Sequence, residues 1–296
     1  MITGDISESF YVHLPSDLDA GGLYNKRNTP AHYTVPLKQT LLLADDFEVG
    51  LAELFSPSVT YNIVWPNNQD IICWRPVPDN PDDLTGPRTM TGTNIKIAEG
   101  AYSPEAFCDA VSKAMRRVDH FSGQIGYHRP SRKISFHLPF NHRIEIKQPD
   151  LQNMMGKPDK AKNIISNRSP YYREKIKIKR PWGPANFNTN GPFMYIYSDV
   201  AQSSHVGNTE APILRAVSLA NMMYEEETTI HREYSNIQYY PIRHTSINRI
   251  EVQLCNSFGR NMPFQKGVGK TLLVLHFRKI KKRGPERFGF NPSLHF

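Results

Sequence analysis

Ile250-Glu251-Val252-Gln253-Leu254, then Asn256-Ser257-Phe258-Gly259-Arg260-Asn261-Met262-Pro263, then Leu272-Leu273-Val274-Leu275-His276-Phe277-Arg278-Lys279: the reading of this run decides the fold. The first piece alternates apolar and polar residues with the period of two that turns one face of a strand to a core and the other to water. The second is turn chemistry, because Asn and Gly tolerate positive φ and Pro cannot donate to a ladder. The third places Leu273, Leu275 and Phe277 on one face and Leu272 and Val274 on the other, which suits an interior strand covered on both sides.

Working outward, Phe10-Tyr11-Val12-His13-Leu14 alternates and is stopped by Pro15-Ser16-Asp17. A second strand is predicted at about residues 32–37. A third, residues 47–55, sets Phe47, Val49, Leu51 and Phe55 on one side before Ser56-Pro57-Ser58 closes it. Short strands parted by turn signals every ten to fifteen residues or so indicate an all-β sandwich or barrel, not βαβ units. Residues 66–92 read as a long irregular connector, because Pro76, Pro78, Pro81 and Pro87 oppose regular structure.

One helix is predicted. Ser103 suits its cap and Pro104 its first turn, and Phe107, Val111, Ala114 and Val118 share a face. Alternating runs at residues 123–128, 133–138 and 143–147 follow, with Ile134, Phe136 and Leu138 pointing one way, so residues 94–156 form a small β-rich unit with one helix. Residues 157–192 are irregular and basic. Within them Lys175-Ile176-Lys177-Ile178-Lys179 reads as a charged edge strand.

The 296 residues carry a formal net charge of +8 and 39% hydrophobic residues, enough for a real core and mildly favourable to acidic partners. Cys73, Cys108 and Cys255 are too scattered for a disulfide framework or a zinc site and are expected as reduced thiols. The first residues lack a basic and apolar leader and no apolar window spans a bilayer, so neither secretion nor membrane insertion is expected.

Catalytic motifs are wanting. Gly267-Val268-Gly269-Lys270-Thr271 resembles the end of a phosphate-binding loop, but Phe264 stands where the first Gly is required and a strand, not a helix, follows. The histidines show no HExxH spacing, and Asp45-Asp46 and Asp82-Asp83 fall in loop signals. No cofactor, metal site or catalytic residue is assigned.

Two regions bring a family to view. Phe10-Tyr11-Val12-His13-Leu14-Pro15-Ser16 with Phe47-Glu48-Val49-Gly50-Leu51-Ala52-Glu53 resembles the opening of the penton, or minor capsid, proteins of the polinton, adintovirus and virophage lineage, relatives of the adenovirus penton base. Tyr195-Ile196-Tyr197-Ser198-Asp199-Val200, Val206-Gly207-Asn208, Ala211-Pro212-Ile213-Leu214-Arg215, and Pro263-Phe264 leading through Gly269-Lys270 to Leu275-His276-Phe277-Arg278 are similar to that family's segments in the same order. The likeness spans residues 10–62 and 193–279. The centre matches only in pattern, and residues 157–192 and the tail do not match.

The resemblance implies an all-β, single jelly-roll β-sandwich with an inserted small α+β subdomain. Residues 1–65 would form the first part of the jelly roll, 66–192 the insertion and long loops, 193–279 the second part, and 280–296 a basic C-terminal arm. The implied role is structural: a homopentamer at the fivefold vertices of an icosahedral virion, meeting the major capsid protein and able to offer a host receptor a projecting insertion. The chain would fold in host cytoplasm or nucleus. From the residues themselves, Lys279, Lys281, Lys282, Arg283 and Arg287 are the candidate contact for an acidic partner, which the resemblance would make either packaged double-stranded DNA or a capsid neighbour. A second reading is a receptor- or carbohydrate-binding sandwich using Trp65, Trp74 and Trp182, and a third is a DNA-binding accessory protein.

Overall fold

The computed structural model describes residues 8–17, 28–64, 70–80, 82, 88–118, 121–158, 161–162, 164–166, 176–179, 182–219, 229–265, 267 and 269–280. The chain opens with β1 (Ser9–Pro15), β2 (His32–Leu42) and β3 (Phe47–Pro57). A long excursion follows: β4 (Asp70–Pro78), β5 (Arg88–Lys96), α1 (Pro104–Arg116), β6 (Gln124–His128), β7 (Lys133–Pro139), β8 (Arg143–Glu145), α2 (Pro149–Met154), β9 (Ile164–Ser166) and β10 (Ile176–Lys179). The chain returns through β11 (Phe193–Ser198), β12 (Ser204–Val206), β13 (Thr209–Ala211), β14 (Ile213–Ser218), β15 (Thr229–Glu233), β16 (Tyr239–Pro241), β17 (Ser246–Asn256) and β18 (Leu272–Lys279).

One sheet runs β1-β18-β3-β15, with β16 following β15 along the same edge of β3, and a second runs β14-β11-β17-β2. Setting aside the excursion and the β12–β13 hairpin, the first strand pairs with the eighth, the second with the seventh, the third with the sixth and the fourth with the fifth. All of these pairs are antiparallel. A hairpin wound up in this way is a jelly roll, with sequence neighbours repeatedly crossing between two packed sheets. Its core joins Leu14, Tyr33, Val49, Leu51, Leu54, Ile196, Ile250, Val252, Leu254, Leu273, Leu275 and Phe277.

A second core belongs to the excursion, where sheets β5-β4-β8-β9 and β10-β7-β6 are joined by α1. Ser103 Oγ caps α1 by accepting from the Ala106 N–H. The Ser112 hydroxyl then donates to the Ile125 carbonyl and accepts its N–H, tying helix to β6. Ile134, Phe136 and Leu138 all face this core. Ile63 already belongs to it, so the core reaches back almost to the end of β3.

Several expectations need correction. Phe55 lies outside the sandwich core. The register of β3 against β18 steps from Leu51–Leu275 to Glu53–Val274, leaving Ala52 as a bulge, and Leu54 is fully buried in place of Phe55. One extra residue reverses which face each later side chain takes. The predicted connector at 66–92 contains the nine-residue strands β4 and β5, paired from Asp70–Lys96 to Pro78–Arg88. Proline is accommodated because β8 partners only Ile72–Trp74, so that among the described residues the flank of β4 beyond Trp74 has no partner strand. The second strand continues to Leu42, and α1 buries Phe107, Cys108, Val111, Ser112 and Met115, leaving Ala114 half-buried. Pro81 and Pro87 lie outside the described residues.

Gly269-Lys270-Thr271 leads into β18 and no helix. Thr271 is buried, its hydroxyl donating to the Pro30 carbonyl and its N–H to Ser16 Oγ, while Lys270 pairs with Asp17. This segment is a clasp between the first and last strands. Cys73, Cys108 and Cys255 are free and buried, and burial pushes the first two thiols up to about 12.

Candidate functional site

Both outer faces of the sandwich carry aromatic rows, and the strand alternation that builds the core places them there. On the β1-β18-β3 sheet, Tyr11, His276, Gly50 and Tyr239 stand in register on four neighbouring segments. The Tyr11 ring stacks on the His276 imidazole at 4.4 Å, and the Tyr239 hydroxyl meets His276 Nδ1 at 2.6 Å. Arg278 lies over the Tyr239 ring at 3.5 Å and donates from Nε to Glu48 Oε1 at 2.6 Å. Along the same face, Phe55 stacks on His231 at 4.1 Å, and His231 Nε2 meets Glu53 Oε2 at 3.2 Å. Tyr11 remains 58% exposed at the edge of this row.

Gly50 makes the row possible. A Cβ there would stand 2.4 Å from Ile237 Cγ2 and 2.5 Å from the Gln238 carbonyl oxygen, so the segment joining β15 to β16 folds down onto the bare backbone. Burial, and then the Arg278 charge, hold the His276 imidazole below the ordinary histidine range. Burial also raises the Tyr239 phenol, so its hydroxyl keeps its proton at neutral pH.

On the opposite sheet, β11 turns Met194 and Ile196 inward and Phe193, Tyr195 and Tyr197 outward. Their ring centroids follow one another at 6.5 and 6.4 Å. Tyr197 is in register with Gln253 and, beyond it, His32, whose Nε2 meets Glu251 Oε1 at 2.7 Å. Phe193 is 43% exposed. These aromatic and charged side chains can bury apolar area and make directional polar contacts, as the centres of protein interfaces do.

Of the candidates named from sequence, Lys279 is exposed at the end of β18, 5.9 Å from the Phe47 ring, with its backbone N–H donated to the Glu8 carbonyl. Lys281, Lys282, Arg283 and Arg287 lie outside the described residues, as does Trp65. The other tryptophans are engaged within the excursion. Trp182 is 2% exposed and packs edge-on against Phe136, while Trp74 donates to Glu145 Oε2 at 3.0 Å beneath the Arg143 guanidinium. Neither forms an open platform.

A cleft of about 250 Å³ that the sequence reading missed lies where the sandwich meets the excursion. Its walls come from α2, the segment 186–190, the turn 256–261 and residues 61–64, and seven of its lining residues are asparagine. The signal was present in the dense asparagines of Asn186-Phe187-Asn188-Thr189-Asn190, read as irregular chain, and of Asn256 to Asn261, read as ordinary turn chemistry.

No known protein-family profile matches the chain, and no curated protein matches it. The crystal structure of a selenomethionine-labelled mavirus penton protein is similar over 92% of this chain and 99% of its own, with 12% sequence identity and a TM-score of 0.42.

Proposed function

We propose that the chain is a structural minor capsid, or penton, protein that forms homopentamers at the fivefold vertices of an icosahedral double-stranded DNA virus or virus-like element. The observation that carries this reading is a jelly roll whose two outer faces both present aromatic rows, Tyr11-His276-Tyr239 on one and Phe193-Tyr195-Tyr197 on the other. The faces differ in residues and lie on opposite sheets, so contact between them is heterologous. Repeated around an axis, such a contact closes into a ring when its rotation divides the circle. The number five and the vertex location rest on the resemblance of residues 10–62 and 193–279 to the penton family.

In this reading residues 66–192 form an insertion projecting from the ring and available to a host receptor. Residues 280–296 form a basic arm that meets the major capsid protein or packaged DNA. Electron microscopy of the purified full-length chain tests the assembly: class averages with fivefold symmetry are expected, and rings of another symmetry would overturn the vertex assignment.

A further inference from the structure

The asparagine cleft has the chemistry of a binding site, and that chemistry limits what its ligand is. Asn256 Oδ1 accepts the N–H groups of Phe258 and Arg260 at 3.0 and 3.1 Å, Asn186 Oδ1 accepts that of Asn188 at 3.0 Å, and Asn261 Oδ1 accepts from Gln253 Nε2 at 2.8 Å. In each case the amide oxygen fixes the side chain and the NH2 group is left to donate. Asn188 Oδ1 is the counterpart, a buried acceptor with no partner. That atom is shielded from water beneath the cleft surface, so the groups that face a ligand are the amide donors.

Charge narrows the choice. Asp150 and Arg260 are the only carboxylate and guanidinium among the described residues of the lining, and they pair with each other at 2.7 Å. No unpaired cation in that lining is left to hold a phosphate or a carboxylate. The volume sits just below the range of roughly 300–1,000 Å³ usual for ligand pockets, so the occupant is small. Phe258, 65% exposed at the rim, offers an aromatic face to an apolar ring surface.

Amide donors set around a small space without a free charge, with one aromatic wall, match the hydroxyl oxygens of a sugar ring. We propose that this cleft binds a neutral saccharide of one or two rings, hydrogen-bonded by Asn186, Asn256 and Asn261 and stacked on Phe258. The cleft is built from α2, loops and the last residue of β17, and none of its lining residues belongs to either aromatic row. An extended peptide fits less well, because its repeating backbone groups call for a strand edge, whereas these donors are side-chain amides gathered in one place.

Saturation-transfer NMR on the full-length protein tests the proposal with three neutral disaccharides, N,N′-diacetylchitobiose, N-acetyllactosamine and maltose. Each is used at about 5 mM, which detects millimolar dissociation constants. Transfer to at least one is expected. Phe258→Ala and Asn186→Ala, both at exposed positions, should each weaken it about three- to tenfold, the range that one hydrogen bond or a modest apolar contact supplies. Absence of transfer to all three, or equal transfer in wild type and both variants, would overturn the assignment.

Discussion

The Tyr239 hydroxyl and His276 Nδ1 share a hydrogen bond of 2.6 Å across the backbone of Gly50, the residue paired with both of them. Three strands of one sheet are thereby joined on their outer side, and burial and then the Arg278 charge disfavour protonation of the imidazole.

The burial of His276 beside Arg278 makes part of the sandwich's stability depend on pH. In the unfolded chain His276 takes up a proton near its ordinary value of about 6.5, whereas burial and Arg278 delay protonation in the folded one to lower pH. The unfolded state therefore binds more protons in that interval. The stabilisation is complete above the ordinary value and is lost as pH falls through the folded one. Between about pH 7.5 and about pH 5, on either side of the ordinary value, the wild-type melting temperature should fall further than that of His276→Gln. An NMR titration should place the His276 imidazole below the ordinary histidine value of about 6.5. Parallel pH dependence in the two proteins would exclude the mechanism.

The bulge at Ala52 predicts a reversal between adjacent residues. Leu54→Ala should cost about 2–5 kcal/mol by opening a cavity in the sandwich core, while Phe55→Ala, losing an outer-face stack on His231, should cost about 1 kcal/mol. Urea unfolding of the two variants measures the difference, and the opposite order would place Phe55 inside.

Heterologous assembly can be separated from isologous assembly by blocking one face at a time. Tyr11→Asp and Phe193→Asp alter exposed aromatics on opposite sheets, so neither should unfold the chain. Each variant alone should stay monomeric. Mixed, the two should give a one-to-one dimer through their intact faces and stop there. A homodimer of either variant would point to a self-complementary patch.

The basic arm is tested by salt. If Lys281, Lys282, Arg283 and Arg287 bind packaged DNA, neutralising all four should reduce the slope of log affinity against log salt by roughly 0.9 for each phosphate that the arm no longer neutralises. An unchanged slope would leave the arm a capsid neighbour's ligand.

Much of the sandwich was legible in sequence because strands such as β1 and β17 bury mainly one face. The alternation in Ile250-Glu251-Val252-Gln253-Leu254 and in Phe10-Tyr11-Val12-His13-Leu14 maps directly onto β17 and β1. Three features were hidden for separate reasons. Periodicity carries no mark of a single-residue bulge, so Phe55 and Leu54 exchanged places. Pro76 and Pro78 argue against a strand only where both flanks are paired, and the short reach of β8 cannot be seen in the sequence of β4. Trp182, beside Pro181 in an irregular stretch, looks like a loop aromatic until Phe136 is known to lie against it. The outer rows and the cleft are products of register and chain return, bringing Tyr239 to His276 and Asp150 to Arg260 from distant positions.

The central claim is that the chain assembles with itself through the two aromatic faces into a ring of five. Multi-angle light scattering of the purified full-length protein over a range of salt concentrations tests it most directly. The account predicts a species of five times the 33.9 kDa chain mass, abolished by Tyr11→Asp. A strict monomer at every concentration and salt, or a stable dimer insensitive to that substitution, would contradict it.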